Sequence, residues 1–506
     1  MHRALFISEI LLEIFRYLHP SSRGRPACQI STSVPSWPGG GVFADIDQWV
    51  GWASLVALAR TCKTFYEPAM DLIWANMVGI EPFLGCVARL HPMYFDCEGI
   101  EPLSGDEARQ FMRHAARVRS MCIPFYEHLH LLNILPTETC LFPRLTSLTW
   151  EVPRSDTINF HLFLSPTLRH CSISALHPSM QSIGTRCAAL EHLAIKASHR
   201  STADERSLLA RTVRSCKQLQ YLDCAPLDWA TWNHLSNVHP LLSVRIRDNG
   251  CLPLDRSDLK FAPFLNIVTL QLYVETAAYP IAVIRHLEFP SLIEFEMHVN
   301  ILPWADAEEL FRTLSQCKSF RQTLKDIAIF SSDDAAQEPS CNSLTAIRQF
   351  LCFPQLQTLW LSCDNCPIYL DNDLLLEAIS SWPHIRQLQL GSNPDLYPPP
   401  VVTFRGLFAA LRLCPQLETL RILIDVDDID IDPEAESYQH TSLTSLNLCL
   451  SHHEDADAEA VARIIFFMLP GIEQVGLGAD WEDGWHEVNR HLECLKSSAA
   501  HGQRII

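Results

Sequence analysis

The chain has 506 residues, 48% of them hydrophobic and 19% charged, with a formal net charge of -19. That length exceeds what one hydrophobic core serves, so the sequence builds either several domains or a solenoid that extends without thickening. The apolar content excludes a disordered chain, and the negative charge argues against a spread phosphate-binding surface, so no nucleic-acid partner is expected.

The N-terminal stretch "ALFISEILLEIFRYL" contains Glu9, Glu13 and Arg16, which a secretory core or a membrane-spanning helix would not carry. No other run is long enough to span, so the expectation is a soluble protein of the cytoplasm and/or nucleus with no membrane partner. The stretch predicts a helix whose apolar stripe is Ile7, Ile10, Leu11, Ile14, Phe15 and Leu18, with Ser8 placed to cap and Glu9 in the first turn. A Pro-, Gly- and Ser-rich insertion at about 20–50 follows. A second helix carries Trp52, Leu55, Val56, Ala59 and Cys62, and a third, opening at Pro68, carries Met70, Ile73 and Trp74. Three short helices bury little alone, so the rest of the chain or a partner must cover part of them. Residues 81–140 read as a helical linker or N-terminal cap.

From residue 141 to 480 one pattern recurs: "FPRLTSLTW" from Phe142, "FPSLIEFEM" from Phe289, "FPQLQTLWL" from Phe353, "WPHIRQLQL" from Trp382 and "CPQLETLRI" from Cys414. Written P-x-L-x-x-L-x-L, its first apolar position falls at Leu145, Leu168, Leu190, Leu219, Leu241, Leu265, Leu292, Leu324, Leu356, Ile385, Leu417, Leu443 and Ile472. The last two apolar residues alternate with a polar one, as in a short strand with one buried face. Helical patterns fill the intervals, among them "DAEELFRTLSQC", in which Asp306 and Glu309 have capping-box spacing. Residues 481–506 read as a C-terminal cap or tail. Many of the nineteen cysteines stand where a repeat would carry Leu or Phe, and are expected to be reduced, buried thiols.

Motifs of catalysis are missing. The sequence has no G-x-x-x-x-G-K-[ST] loop, no G-x-G-x-x-G and no G-x-S-x-G elbow. "HEVNRH" spaces His486 and His491 by five residues, which turns them onto different helix faces. Cys363 and Cys366 form a lone C-x-x-C, with only Cys341 and Cys352 nearby, and read as loop and core thiols. "HHEDADAE" reads as an acidic helix start, and "DVDDIDIDPEAE" as a solvated loop without the glycine of a calcium site, or else a docking site for a basic segment. No cofactor, no metal and no enzyme activity are expected.

The repeat resembles the leucine-rich-repeat family over roughly residues 141–480, with spacings from 22 (Leu168 to Leu190) to 32 (Leu292 to Leu324) against a family period of about 20 to 29. The asparagine that usually follows L-x-x-L-x-L is mostly absent. The resemblance implies an α/β solenoid with parallel strands on the concave face and helices on the convex face. "ISEILLEIFRYL", followed by "LVALARTCKTFYEPAMDLIW", resembles an F-box over residues 1–80. Glu9, Ile10, Leu11, Ile14 and Leu18 match its first part, and Leu55, Leu58, Cys62, Phe65 and Trp74 match the rest. Ile7 stands where the family usually has proline, and the insertion separates helices the family joins by a few residues. Taken together, the order of parts is similar to F-box proteins with C-terminal leucine-rich repeats, of the fungal type. That resemblance implies the substrate-recognition subunit of a cullin-RING (Skp-cullin-F-box) ubiquitin ligase, binding a Skp-type adaptor through Ile7, Ile10, Leu11, Ile14, Leu18, Leu55, Leu58 and Trp74. The alternative is a scaffold unrelated to ubiquitin whose N-terminal helices only cap the solenoid.

In a repeat strand the residue between the two buried positions faces outward. Trp360, with Gln389 and Arg421 on the following strands, gives an aromatic on a polar face, the composition of a binding hot spot for a protein substrate. A register slip of one residue, or a loop over it, would remove Trp360 from that surface. Tyr221, Asp223 and Arg245 form a second candidate.

Overall fold

The computed structural model describes residues 46–90, 101–152, 160–196, 202–247, 261–331, 344–363, 368–391, 401–427, 429–433, 437–448, 457–476 and 485–502. Ile7, Ile10, Leu11, Ile14 and Leu18 lie outside them. The chain divides into two compact units, residues 1–198 with 202–219, and residues 199–201 with 220–506.

The first unit opens with the helices Ile46–Ala59 and Lys63–Ile73. Leu55 and Ala69 are fully buried between them, with Leu58, Phe65, Leu72 and Ile73 packed around. The expected helix start at Pro68 is corrected: the helix begins at Lys63 and Pro68 lies inside it. Five strands follow: β1 (Asn76–Val78), β2 (Ser120–Ile123), β3 (Ser147–Trp150), β4 (His170–Ile173) and β5 (His192–Ile195). Each pairs in parallel with the next. The repeat thus reaches back beyond residue 141, because Val118, Met121 and Ile123 supply the same buried spacing without the proline that made later copies easy to see.

The second unit holds nine strands: β6 (Tyr221–Cys224), β7 (Ser243–Arg247), β8 (Thr269–Thr276), β9 (Glu294–Ile301), β10 (Asp326–Ser331), β11 (Thr358–Cys363), β12 (Gln387–Gly391), β13 (Thr419–Arg421) and β14 (Ser445–Asn447). They too pair in parallel with their sequence neighbours. Strands that pair only in chain order, most of them joined through helices, make the α/β leucine-rich-repeat solenoid.

The recurring x-P-x-L has a local cause. The backbone N–H of Leu145, Leu292, Leu356, Ile385 and Leu417 donates to the carbonyl three residues earlier, that of Phe142, Phe289, Phe353, Trp382 and Cys414. This closes a β-turn with proline second, where its fixed φ is already correct. The residue before proline turns into the core and meets aromatic residues of neighbouring repeats: Phe289 lies 5.0 Å from Phe264 and 6.3 Å from Phe320, centroid to centroid, and Phe142 lies 5.3 Å from Phe83. Trp382 is fully buried and donates Nε1–H to the Phe350 carbonyl at 3.0 Å, pinning one repeat to the one before.

Two further expectations are corrected. Leu265 is exposed and Ile267 is the buried anchor, so the β8 repeat is Ile267, Leu270 and Leu272, two residues later than its apolar pattern suggests. Asp306 does not cap its helix, which starts at Trp304 after Pro303. Asp371, Thr403 and Asp457 do cap, each accepting backbone N–H bonds from the first turn. At the C-terminal end the helix His486–Gly502 places the Asn489 amide against Val475: Oδ1 accepts its N–H at 2.7 Å and Nδ2 donates to its carbonyl at 2.9 Å. No helix among the described residues is long and apolar enough to cross a membrane.

Candidate protein-binding face of the second unit

Strand alternation turns half of each strand's residues into the core and leaves the others on the outer face. In the second unit the outer residues form rows crossing the strands; Tyr221, Ser243 and Thr269 begin one, and two more lie beyond it. One row is Asp223, Arg245, Gln271, Glu296, Ala328, Trp360, Gln389 and Arg421. Its neighbour, two residues further along each strand, is Arg247, Tyr273, His298, Phe330, Ser362 and Gly391.

At the β6–β9 end the rows are a connected polar network. Arg247 contacts the Asp223 carboxylate at 2.9 Å, and the Arg245 guanidinium lies 3.9 Å from the same oxygen. Arg245 Nε donates to Gln271 Oε1 at 2.6 Å, and Gln271 Nε2 donates onward to Glu296 Oε2 at 2.7 Å. Glu296 Oε1 also accepts from the Tyr273 hydroxyl at 2.9 Å and lies 2.7 Å from His298 Nε2. Burial opposes ionisation of Glu296, but the bonds from His298, Tyr273 and Gln271 outweigh it and hold the carboxyl below its ordinary pKa. Asp223 is the opposite case. It is nearly fully buried, and that burial raises its pKa despite the opposing pull of Arg247 and Arg245.

Toward β11 the network gives way to rings. Tyr273 stacks on His298 with centroids 4.6 Å apart and planes 4° from parallel, and His298 stacks on Phe330 at 4.5 Å. Phe330 meets Trp360 edge to face at 4.7 Å. The Arg245 and Arg247 guanidiniums each sit 5.7 Å from the Tyr273 centroid. A row of rings held by stacking and hydrogen bonds is rigid, half-exposed apolar surface, the material from which protein-binding hot spots are made.

The two candidate clusters therefore belong to one surface. Tyr221, Asp223 and Arg245 occupy one end and Trp360, Gln389 and Arg421 the other, joined through Tyr273, His298 and Phe330. The joining residues were not singled out in the sequence, because the β8 register is displaced and only one outer row was read. Their signal was present: β9 alternates buried and outward residues over its first six positions, and in β8 Leu270, Leu272 and Val274 are buried on every second position.

The remaining candidates lie in the first unit. Leu55 is fully buried and Leu58 half-buried in the core of their own helix pair. Trp74, expected on an adaptor surface, stacks instead on His114 at 4.5 Å and 9°, and meets Phe83 at 5.0 Å. Burial, helped by Arg113 and Arg117, pushes the His114 pKa down. Arg117 pairs with Glu67 at 2.5 Å and also with Asp71, tying the second helix to the segment that leads into β2.

Among the described residues no three His, Cys, Asp or Glu side chains converge as metal ligands. Cys171, Cys187, Cys216, Cys224 and Cys414 are buried free thiols, Cys363 is buried as well, and burial pushes Cys187 and Cys414 up to about 12. His491 stays on its own helix, 3.9 Å from Glu487, which also pairs with Arg490 at 2.6 Å.

No protein-family model matches the chain. No curated protein sequence matches it either. Among solved structures it is similar to an internalin from Listeria monocytogenes, at 13% identity over 69% of this chain and 91% of that one, with a TM-score of 0.38.

Proposed function

We propose that this leucine-rich-repeat chain is the substrate receptor of a Skp-cullin-F-box ubiquitin ligase. The N-terminal helices engage a Skp-type adaptor, and the outer strand face of the second unit holds a protein substrate. The receptor makes no bonds itself. It raises the effective concentration of substrate lysines beside the conjugating enzyme, in the cytoplasm or nucleus. The observation that carries the substrate half is the ring row Tyr273, His298, Phe330 and Trp360 with its flanking arginines. The adaptor half is supported by the order of "ISEILLEIFRYL" and "LVALARTCKTFYEPAMDLIW" ahead of a repeat domain.

The test is a pull-down of the full chain with purified Skp-type adaptor beside the double variant Leu11→Asp, Ile14→Asp. Capture by the parent and not by the variant, at unchanged melting temperature, supports the ligase reading. Capture of both, or of neither, sinks it. The second reading, helices that only cap a scaffold, is favoured by the burial of Leu55 and the stacking of Trp74 on His114, which use apolar surface inside the chain.

A further inference from the structure

Arg421 differs from the other arginines of this face. Arg245 and Arg247 share Asp223, whereas Arg421 has no ion pair among the described residues, and its Nε is buried without a hydrogen-bond acceptor. Its position has a visible cause in Gly391. A Cβ built on Gly391 would stand 3.3 Å from both Cζ and Nε of Arg421 and 3.4 Å from Ser362 Oγ. The guanidinium therefore lies back over β12 toward β11, above the one residue without a side chain. Trp360 stands two residues before Ser362 on β11, and Gln389 is its register partner on β12. An unneutralised guanidinium and the open end of an aromatic row thus share a patch one to two strand spacings wide, on the order of 5 to 10 Å.

We infer that this end of the face takes an extended protein segment in which a carboxylate stands about one to three residues from an aromatic or aliphatic side chain. The carboxylate meets Arg421, and the apolar group lies on Phe330 and Trp360. Charge complementarity selects the occupant: a single unpaired cation suits a single negative charge, whereas a phosphate dianion calls for a cluster. The inference deepens the proposed function and rests on its reading of this face as the substrate surface.

The experiment is selection of random twelve-residue peptides displayed on phage against the immobilised full chain. Enriched sequences are then synthesised and titrated by fluorescence anisotropy. Titrations use the parent chain, Trp360→Ala, Arg421→Gln, Arg421→Lys and Gly391→Ala, each checked by thermal melting. Enriched peptides are expected to carry Asp or Glu within three residues of an apolar side chain. They should weaken by about tenfold or more on Arg421→Gln and on Trp360→Ala, with partial retention on Arg421→Lys, whose ammonium lacks the planar fork. Gly391→Ala, which keeps the charge and moves only its seat, should weaken them by roughly threefold to tenfold. Peptides that need Trp360 but lack acids and bind Arg421→Gln equally overturn the carboxylate and leave the face standing. Peptides that bind Trp360→Ala equally overturn the face itself. Failure to enrich any peptide overturns an extended segment as the occupant. Tighter binding when phosphoserine replaces the acid overturns the single-charge argument in favour of a phosphate reader.

Discussion

The last described rung of the solenoid takes a side-chain amide in place of a further strand, and its removal has a calculable effect. Val475 forms an isolated parallel bridge with Leu446, and the Asn489 amide then satisfies both its N–H and its carbonyl, at 2.7 and 2.9 Å, as a following strand would. Asn489→Ala leaves both backbone groups of a nearly fully buried residue without partners. An intramolecular hydrogen bond is worth about 0.5–1.5 kcal/mol net, and an orphaned buried group costs about 1–3 kcal/mol. Asn489 is only half-buried, so water replaces part of the loss and the total is about 2–4 kcal/mol. Because a solenoid couples mainly nearest neighbours, the effect stays at that end. Hydrogen exchange read by mass spectrometry should show amide protection in peptides spanning 443–476 falling roughly 30- to 700-fold, since about 1.4 kcal/mol corresponds to tenfold. Peptides spanning 221–247 should be unchanged. Unaltered protection at Val475 would refute the amide as a strand surrogate, and equal loss across the second unit would refute nearest-neighbour coupling. Asn489→Asp, which keeps the acceptor and loses the donor, should give about half the free-energy change.

Other consequences follow from single contacts. Glu296 has a depressed pKa, so its ionised form contributes stability that is complete above its ordinary value of about 4.5 and lost as pH falls through the folded value. Melting from pH 7 to pH 3 should therefore show a shallower acid decline for Glu296→Gln than for the parent, and identical slopes would contradict the linkage. Gly184→Ala puts a Cβ 2.2 Å from Ser215 Oγ and 2.6 Å from its carbonyl oxygen, and backbone cannot swing aside. A loss of about 1–3 kcal/mol in urea unfolding is expected, and a neutral result would refute the close approach. Arg117→Ala removes the pairing to Glu67 and Asp71, whose charges are partly screened, so the stability loss should be under about 2 kcal/mol. Exchange in 46–73 should rise above that in 145–195, and equal changes in both would show that Arg117 does not hold those helices.

What the sequence disclosed and what it hid have the same physical origin. Inward positions are constrained by packing, so Leu145, Leu292 and Leu356 repeat and announce the strands, and the proline of the entering β-turn marks each start. Where that pattern is weak the signal fails, as at β1 and β2, and where it is imitated the register slips: Pro263 stands two residues before the exposed Leu265, which copies the motif, while the buried anchor is Ile267. A helix start is legible where the capping residue itself carries a side-chain acceptor, as Asp371 and Thr403 do, and misleading where Pro303 precedes the helix and no side chain caps it.

Outward positions answer to no such repeat, which is why Trp360 could be singled out by type while its surroundings could not. The stacking of Tyr273, His298 and Phe330 depends on three strands arriving in register through connections of different length, and no local pattern encodes that sum. The same independence separates architecture from recognition in this molecule. A solenoid fixes the spacing of its outer rows through buried leucines and phenylalanines, and so can vary Arg421, Gly391 or Trp360 without altering the turns or the core. The seat of Arg421 over Gly391 shows the limit of that freedom: a side chain that leans across a neighbouring strand makes the outer face of one repeat depend on the smallest residue of the one before.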